Sequence, residues 1–94
     1  MMVAVFLQDY TLERKSMRPS IGMASEINSE AASFLMTYYE GDWNEKWAVW
    51  KLPNGDPWTQ RLPISSVVLF AFQLDNGKLT HQQKKKIRAA YASR

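Results

Sequence analysis

Apolar and polar positions in this chain change rhythm along its length, and each rhythm predicts an element. Residues 2–12, MVAVFLQDYTL, alternate loosely and are rich in valine and phenylalanine, which predicts a strand. The polar stretch ERKSMRPSIG at 13–22 holds Pro19 and Gly22 and reads as a loop. Ser25 stands where it can cap a short helix to about Ser33, with Asn28 at the position a capping box gives to Glu or Gln.

From Phe34 to Gln73 short apolar runs alternate with turn signals. Asn54-Gly55 is the dipeptide a type I′ hairpin turn favours, because both central residues need a positive φ. Pro53 and Pro57 flank it, as suits strand ends. Phe34–Tyr39, Lys46–Leu52, Trp58–Leu62 and Ser66–Gln73 then form an antiparallel meander. Glu40-Gly41-Asp42 supplies its first turn and Leu62-Pro63 its last bend. A helix is the rival over 43–52: Asp42 with Glu45 forms a capping pair, Trp43, Trp47 and Trp50 fall at i, i+4 and i+7, and Pro53 stops it. The density of aromatic and β-branched residues between close turn signals favours the strand. VVLFAF at 67–72 carries the same ambiguity.

The C-terminal segment is plainer. Gly77 breaks the chain, and Thr80 with Gln83 forms a T-x-x-Q capping box that opens a helix from His81 to about Ala92. Ile87, Ala90 and Tyr91 share a face with Gln83 and can dock on the sheet. His81, Lys84, Lys85 and Arg88 lie on another. The expected fold is α+β: one domain over 1–94, a small antiparallel sheet of three to five strands, and a C-terminal helix (78–94 with its basic lead-in) packed on one face.

Composition narrows the chemistry. The 94 residues include no cysteine, which excludes disulfides and thiolate metal sites. No segment reaches the ~20 apolar residues a membrane span needs. The opening MMVAVFL is too short for a signal peptide's apolar region with a cleavage site. A cytoplasmic protein that does not enter a membrane is expected. Lys78, Lys84, Lys85, Lys86, Arg88 and Arg94 give residues 76–94 a charge of +6 with no acid. The chain's net charge is +3, so residues 1–75 carry −3. An acidic body with a basic tail points to an anionic partner.

Catalysis finds little support. His81 is the single histidine, no G-x-S-x-G elbow accompanies it, and the four glycines fit no phosphate-loop spacing. Glu40, Asp42 and Glu45 cluster beside tryptophans, a combination that glycosidases use, but a charged turn accounts for them more simply. No enzyme, cofactor or metal is expected.

Binding is the stronger expectation. Lys84, Lys85, Lys86 and Arg88 can reach several phosphates, although surface lysines also merely keep small proteins soluble. All four tryptophans lie between Trp43 and Trp58. In a strand over 46–52, Trp47 and Trp50 face opposite sides of the sheet, and Tyr38 and Tyr39 split likewise. One helix covers one side, so at least one tryptophan is expected at the surface. Beside Lys51, Arg61 and Lys46, exposed Trp47, Trp50 or Trp58 can stack bases or anchor a protein. A two-sided core or a homodimer is the competing explanation.

The size, aromatic content and lopsided charge resemble small inhibitors carried by phages and mobile elements, anti-CRISPR proteins among them. That likeness rests on composition and assigns no residue. The leading expectation is a non-enzymatic protein that docks on and modulates a macromolecular complex, a nucleoprotein in first place. A DNA- or RNA-binding module and a homodimeric structural protein are the alternatives.

Overall fold

In a computed structural model, residues 1–6 and 18–93 are described, and they form six antiparallel strands and one helix. The strands are β1 (Met2–Val5), β2 (Ser20–Asn28), β3 (Ser33–Glu40), β4 (Ala48–Val49), β5 (Thr59–Pro63) and β6 (Val67–Phe72). A 3-10 turn, Ile64–Ser66, links β5 to β6, and helix α1 spans His81–Ala92. The expected α+β class with a C-terminal helix on one face is what forms, with one strand more than expected. No helix among the described residues is long and apolar enough to cross a membrane.

The sheet order is β4-β3-β2-β1-β6, and β5 also pairs with β3. β4 and β5 therefore share one edge of β3: Tyr39 and Glu40 face β4, and Ser33 to Thr37 face β5. Edge strands β5 and β6 lie at opposite ends of this order, yet three residues join them. The sheet must curl for that link to close. Hydrogen bonds from Ile64 N–H to the Ala32 carbonyl (2.8 Å) and from Phe6 N–H to the Ser66 carbonyl (2.9 Å) fasten both ends of the link.

Curling gives the sheet two cores. On the helix side Met2, Ala4, Phe6, Ile21, Trp47 and Phe72 pack with Leu79, Ile87 and Tyr91. On the other side Val3, Val5, Ala24, Phe34, Met36, Tyr38 and Leu62 fill the hollow of the sheet, with Trp58 against them. β1 is buried at every position, which is why its sequence runs apolar without strict alternation. β3, covered less evenly, shows the period of two through Phe34, Met36 and Tyr38.

Helix α1 begins and ends where its sequence predicts. Thr80 Oγ1 accepts from Gln83 N–H (3.2 Å), and Gln83 Oε1 accepts from Thr80 N–H (2.9 Å). Tyr91 locks the far end to the sheet: its hydroxyl donates to the Val5 carbonyl (2.8 Å) and accepts from Ser20 N–H (3.0 Å). Its ring meets Phe6 edge to face at 5.5 Å.

Several expected elements differ. The first strand ends at Val5, and residues 7–12 of the span expected to 12 lie outside the described residues, as do residues 13–17 of the loop expected over 13–22. Ser20, Ile21 and Gly22 belong to β2. No helix runs from Ser25 to Ser33: β2 continues to Asn28 against β3, kinked at Glu26 (φ 46°), and residues 29–32 form the turn. The local capping signal there loses to cross-strand pairing.

The meander also fails in one respect. Pairing across the Asn54-Gly55 turn ends at Trp50 and Trp58, with Lys51 opposite Pro57; from Thr59 on, β5 returns to β3 instead of running along Lys46–Val49. Residues 43–52 are neither a long strand nor a helix, since only Ala48–Val49 is strand. The Asn54-Gly55 turn is not type I′ either, because only Gly55 takes a positive φ, +91°. A two-residue turn there would need Pro53 and Asp56 to exchange two backbone hydrogen bonds, and proline has no N–H. The chain instead uses Pro53 and Asn54 as the centre of a turn closed by Gly55 N–H to the Leu52 carbonyl (2.8 Å), with Gly55 as the extra left-handed residue. A type I′ geometry appears at the other Asn-Gly pair. Asn76 (φ 51°) and Gly77 (φ 79°) sit between Asp75 and Lys78, which exchange bonds of 2.8 and 2.9 Å.

Candidate docking surfaces

The tryptophan window splits at Tyr38. Trp50 N–H donates to the Tyr38 carbonyl (2.9 Å), and Tyr38 N–H donates to the Trp58 carbonyl (2.9 Å). Trp58 N–H closes the junction on the Trp50 carbonyl (2.8 Å). Chain leaving β4 is thus clamped, makes an arm over 51–57, and returns beside the same residue. Every residue of that arm is exposed.

Rings reinforce the clamp. Trp58 stacks on Tyr38 with centroids 4.4 Å apart and planes 25° from parallel. Trp50 meets Trp58 edge to face at 4.9 Å and 82°. Tyr38 is buried and its hydroxyl donates to Gln60 Oε1 (2.8 Å). Trp50 and Leu52, each 40% exposed, bring apolar surface outward at the root of the arm. At its tip Asn54 Oδ1 accepts from Asp56 N–H (3.0 Å), so the turn braces itself.

Trp47 belongs to the opposite side of the sheet and to the core. It is only 7% exposed, packed with Ile87 and Tyr91. Gly41 makes room for it: an added Cβ there would stand 2.5 Å from the indole. The buried Trp47 Nε1 has no hydrogen-bond partner among the described residues, and packing holds this ring. At 7% exposure it offers little surface for the contact role expected of it. The opposed facing of Trp47 and Trp50 is as the strand periodicity required.

The remaining expected contact residues divide. Lys51 lies on the arm with Trp50 and Trp58. Arg61 alternates to the other side of β5 from Trp58, Gln60 and Leu62. There it donates to the Glu26 carbonyl (3.2 Å) and Ser33 Oγ (3.4 Å), with the Glu26 carboxylate at 4.0 Å. On α1, Lys84 Nζ donates to Asn44 Oδ1 (2.8 Å), and the Arg88 guanidinium lies 4.4 Å over the Trp43 ring. Lys85 and Lys86 are exposed. The helix and the arm therefore present two surfaces on opposite sides of the sheet, not one.

Sequence reasoning missed Tyr38, Leu52 and Gln60 at the arm and Trp43 and Asn44 at the helix. The aromatic, apolar tip of Lys46–Leu52 was the one available signal for Leu52. No family model matches the chain, and no curated protein or solved structure matches it.

Proposed function

We propose that this chain is a non-enzymatic interaction protein that docks on a macromolecular complex through the Trp50–Trp58 arm and so inhibits or modulates it. The observation that carries the reading is Trp50, 40% exposed yet braced edge to face by Trp58. A clamped ring loses little freedom on binding, which lowers the ordering cost of association. Tryptophan is also the side chain most enriched among residues that dominate interface energies. Leu52 and Lys51 beside it supply apolar area and a charge for the rim.

The chain's catalytic candidates have local roles in this reading. Asp42 Oδ1 accepts from the Trp43 amide at 2.7 Å, and His81 stands exposed in the first turn of α1. The test places a photo-crosslinking amino acid at Leu52 in cells of the source organism. The expected result is one dominant protein adduct that disappears in a Trp50→Ala background. Adducts unaffected by Trp50→Ala, or an adduct with a second copy of this chain alone, would sink the reading.

A further inference from the structure

Helix α1 carries its charge unevenly around its axis. With about 100° between successive residues, Lys84, Lys85 and Arg88 fall on the flank toward Trp43 and Asn44, while Lys86 falls on the far flank beside Gln82. Two other segments bring cations to the first flank. Residues 43–47 are fixed to the helix by the Lys84–Asn44 and Arg88–Trp43 contacts. They are fixed to the Asn76-Gly77 turn by Trp47 N–H donating to the Gly77 carbonyl (2.8 Å). The Lys46 stem lies over that turn, its Cγ 3.8 Å from where a Gly77 Cβ would stand, and Lys78 follows next in the chain.

These cations are not neutralised from within. Among the described residues the ion pair is Arg61 with Glu26, and it involves none of them. Asp42 is turned onto the Trp43 amide, and the exposed Glu45 and Asp75 carboxylates, beside Lys46 and opposite Lys78, form no ion pair with them among the described residues. We propose that Lys46, Lys78, Lys84, Lys85 and Arg88 together form a binding surface for the phosphodiester backbone of a nucleic acid.

The chemistry favours phosphates over bases and over protein. Arg88 keeps its guanidinium charge 4.4 Å over the Trp43 ring, and its five N–H donors match phosphate oxygens. The neighbouring ring is already engaged, so the surface offers charge rather than a stacking platform. An interface with protein would want an apolar anchor, and this flank holds charged heads. Backbone contacts carry no base information, so binding is independent of sequence. The surface lies across the sheet from the Trp50 arm and stands independently of the docking reading above.

Fluorescence anisotropy with labelled duplex DNA, duplex RNA and a shuffled DNA sequence tests it at 50 and 200 mM salt. Anionic phosphatidylserine vesicles serve as a second probe. About four neutralised phosphates, at roughly 0.9 of log–log slope each, predict an affinity drop of roughly a hundredfold between the two salts. Shuffling is expected to change nothing, and binding to either DNA or RNA supports the surface while naming its source. Lys46→Ala and Lys85→Ala alter exposed side chains, and each is expected to lower the slope by about 0.9. Lys86→Ala and Trp50→Ala are expected to leave the slope unchanged. Absence of binding at 50 mM, equal effects of Lys86→Ala and Lys85→Ala, or capture of vesicles in place of duplex would overturn the proposal.

Discussion

Trp50 and Trp58 meet edge to face at 4.9 Å, and that contact separates what holds this protein together from what it shows to a partner. Trp58 continues inward onto Tyr38 and the hollow of the sheet, whereas Trp50 faces out. Trp47, three residues earlier, points to the opposite core.

Stability should follow that division. Trp47→Ala empties a buried site and is expected to cost about 3–5 kcal/mol. Trp50→Ala removes one exposed edge-to-face pair and is expected to cost about 1 kcal/mol. Urea unfolding of both variants checks this; equal losses would mean that Trp50 is core.

Tyr91→Phe is expected to destabilise by about 1–3 kcal/mol, because it strands the buried Val5 carbonyl and removes the acceptor of Ser20 N–H. The measurement is a chemical unfolding midpoint, together with faster amide exchange at Ser20. An unchanged midpoint would show that the helix is held by apolar contact alone.

The two Asn-Gly turns should respond differently to replacement of their asparagines. Asn76 needs a left-handed φ of 51°, so Asn76→Val is expected to cost about 1–2 kcal/mol. Asn54 does not take a positive φ, and Asn54→Val there loses only its brace to Asp56, expected to cost under about 1 kcal/mol. Thermal unfolding of the pair gives the order, and a reversed order would contradict the turn assignment.

Sedimentation velocity at micromolar concentration is expected to give a monomer of 10.9 kDa, unchanged by Trp50→Ala. Both cores close within one chain, so no second copy is needed to cover either side of the sheet. A dimer lost on Trp50→Ala would turn the arm into a self-interface.

What the sequence disclosed follows from range. Helix α1 was legible to its end residues because its capping box and its Ile87–Tyr91 stripe are local signals. β2 was not, since its start lies in a polar stretch with Pro19 and Gly22 and, past Ser25, a fair helix cap is overridden by pairing with a strand further along the chain. The arm's turn was legible at Asn54-Gly55 but its type was not, because Pro53 lacks the N–H that the favoured turn requires. At the surface, exposure of one tryptophan followed from strand alternation. The joining of Lys46 and Trp43 to the basic helix did not, because the turn at Asn76-Gly77 and the pairing of distant segments create it.

Binding of purified Trp50→Ala to the partner complex recovered through the Leu52 crosslink, compared with Lys85→Ala and the unaltered chain, tests the central claim most directly. An arm that anchors on Trp50 predicts a loss of about 2 kcal/mol or more, roughly thirtyfold in Kd, beyond the loss of about 1 kcal/mol in its folding stability. Trp50→Ala binding as tightly as the unaltered chain would contradict it.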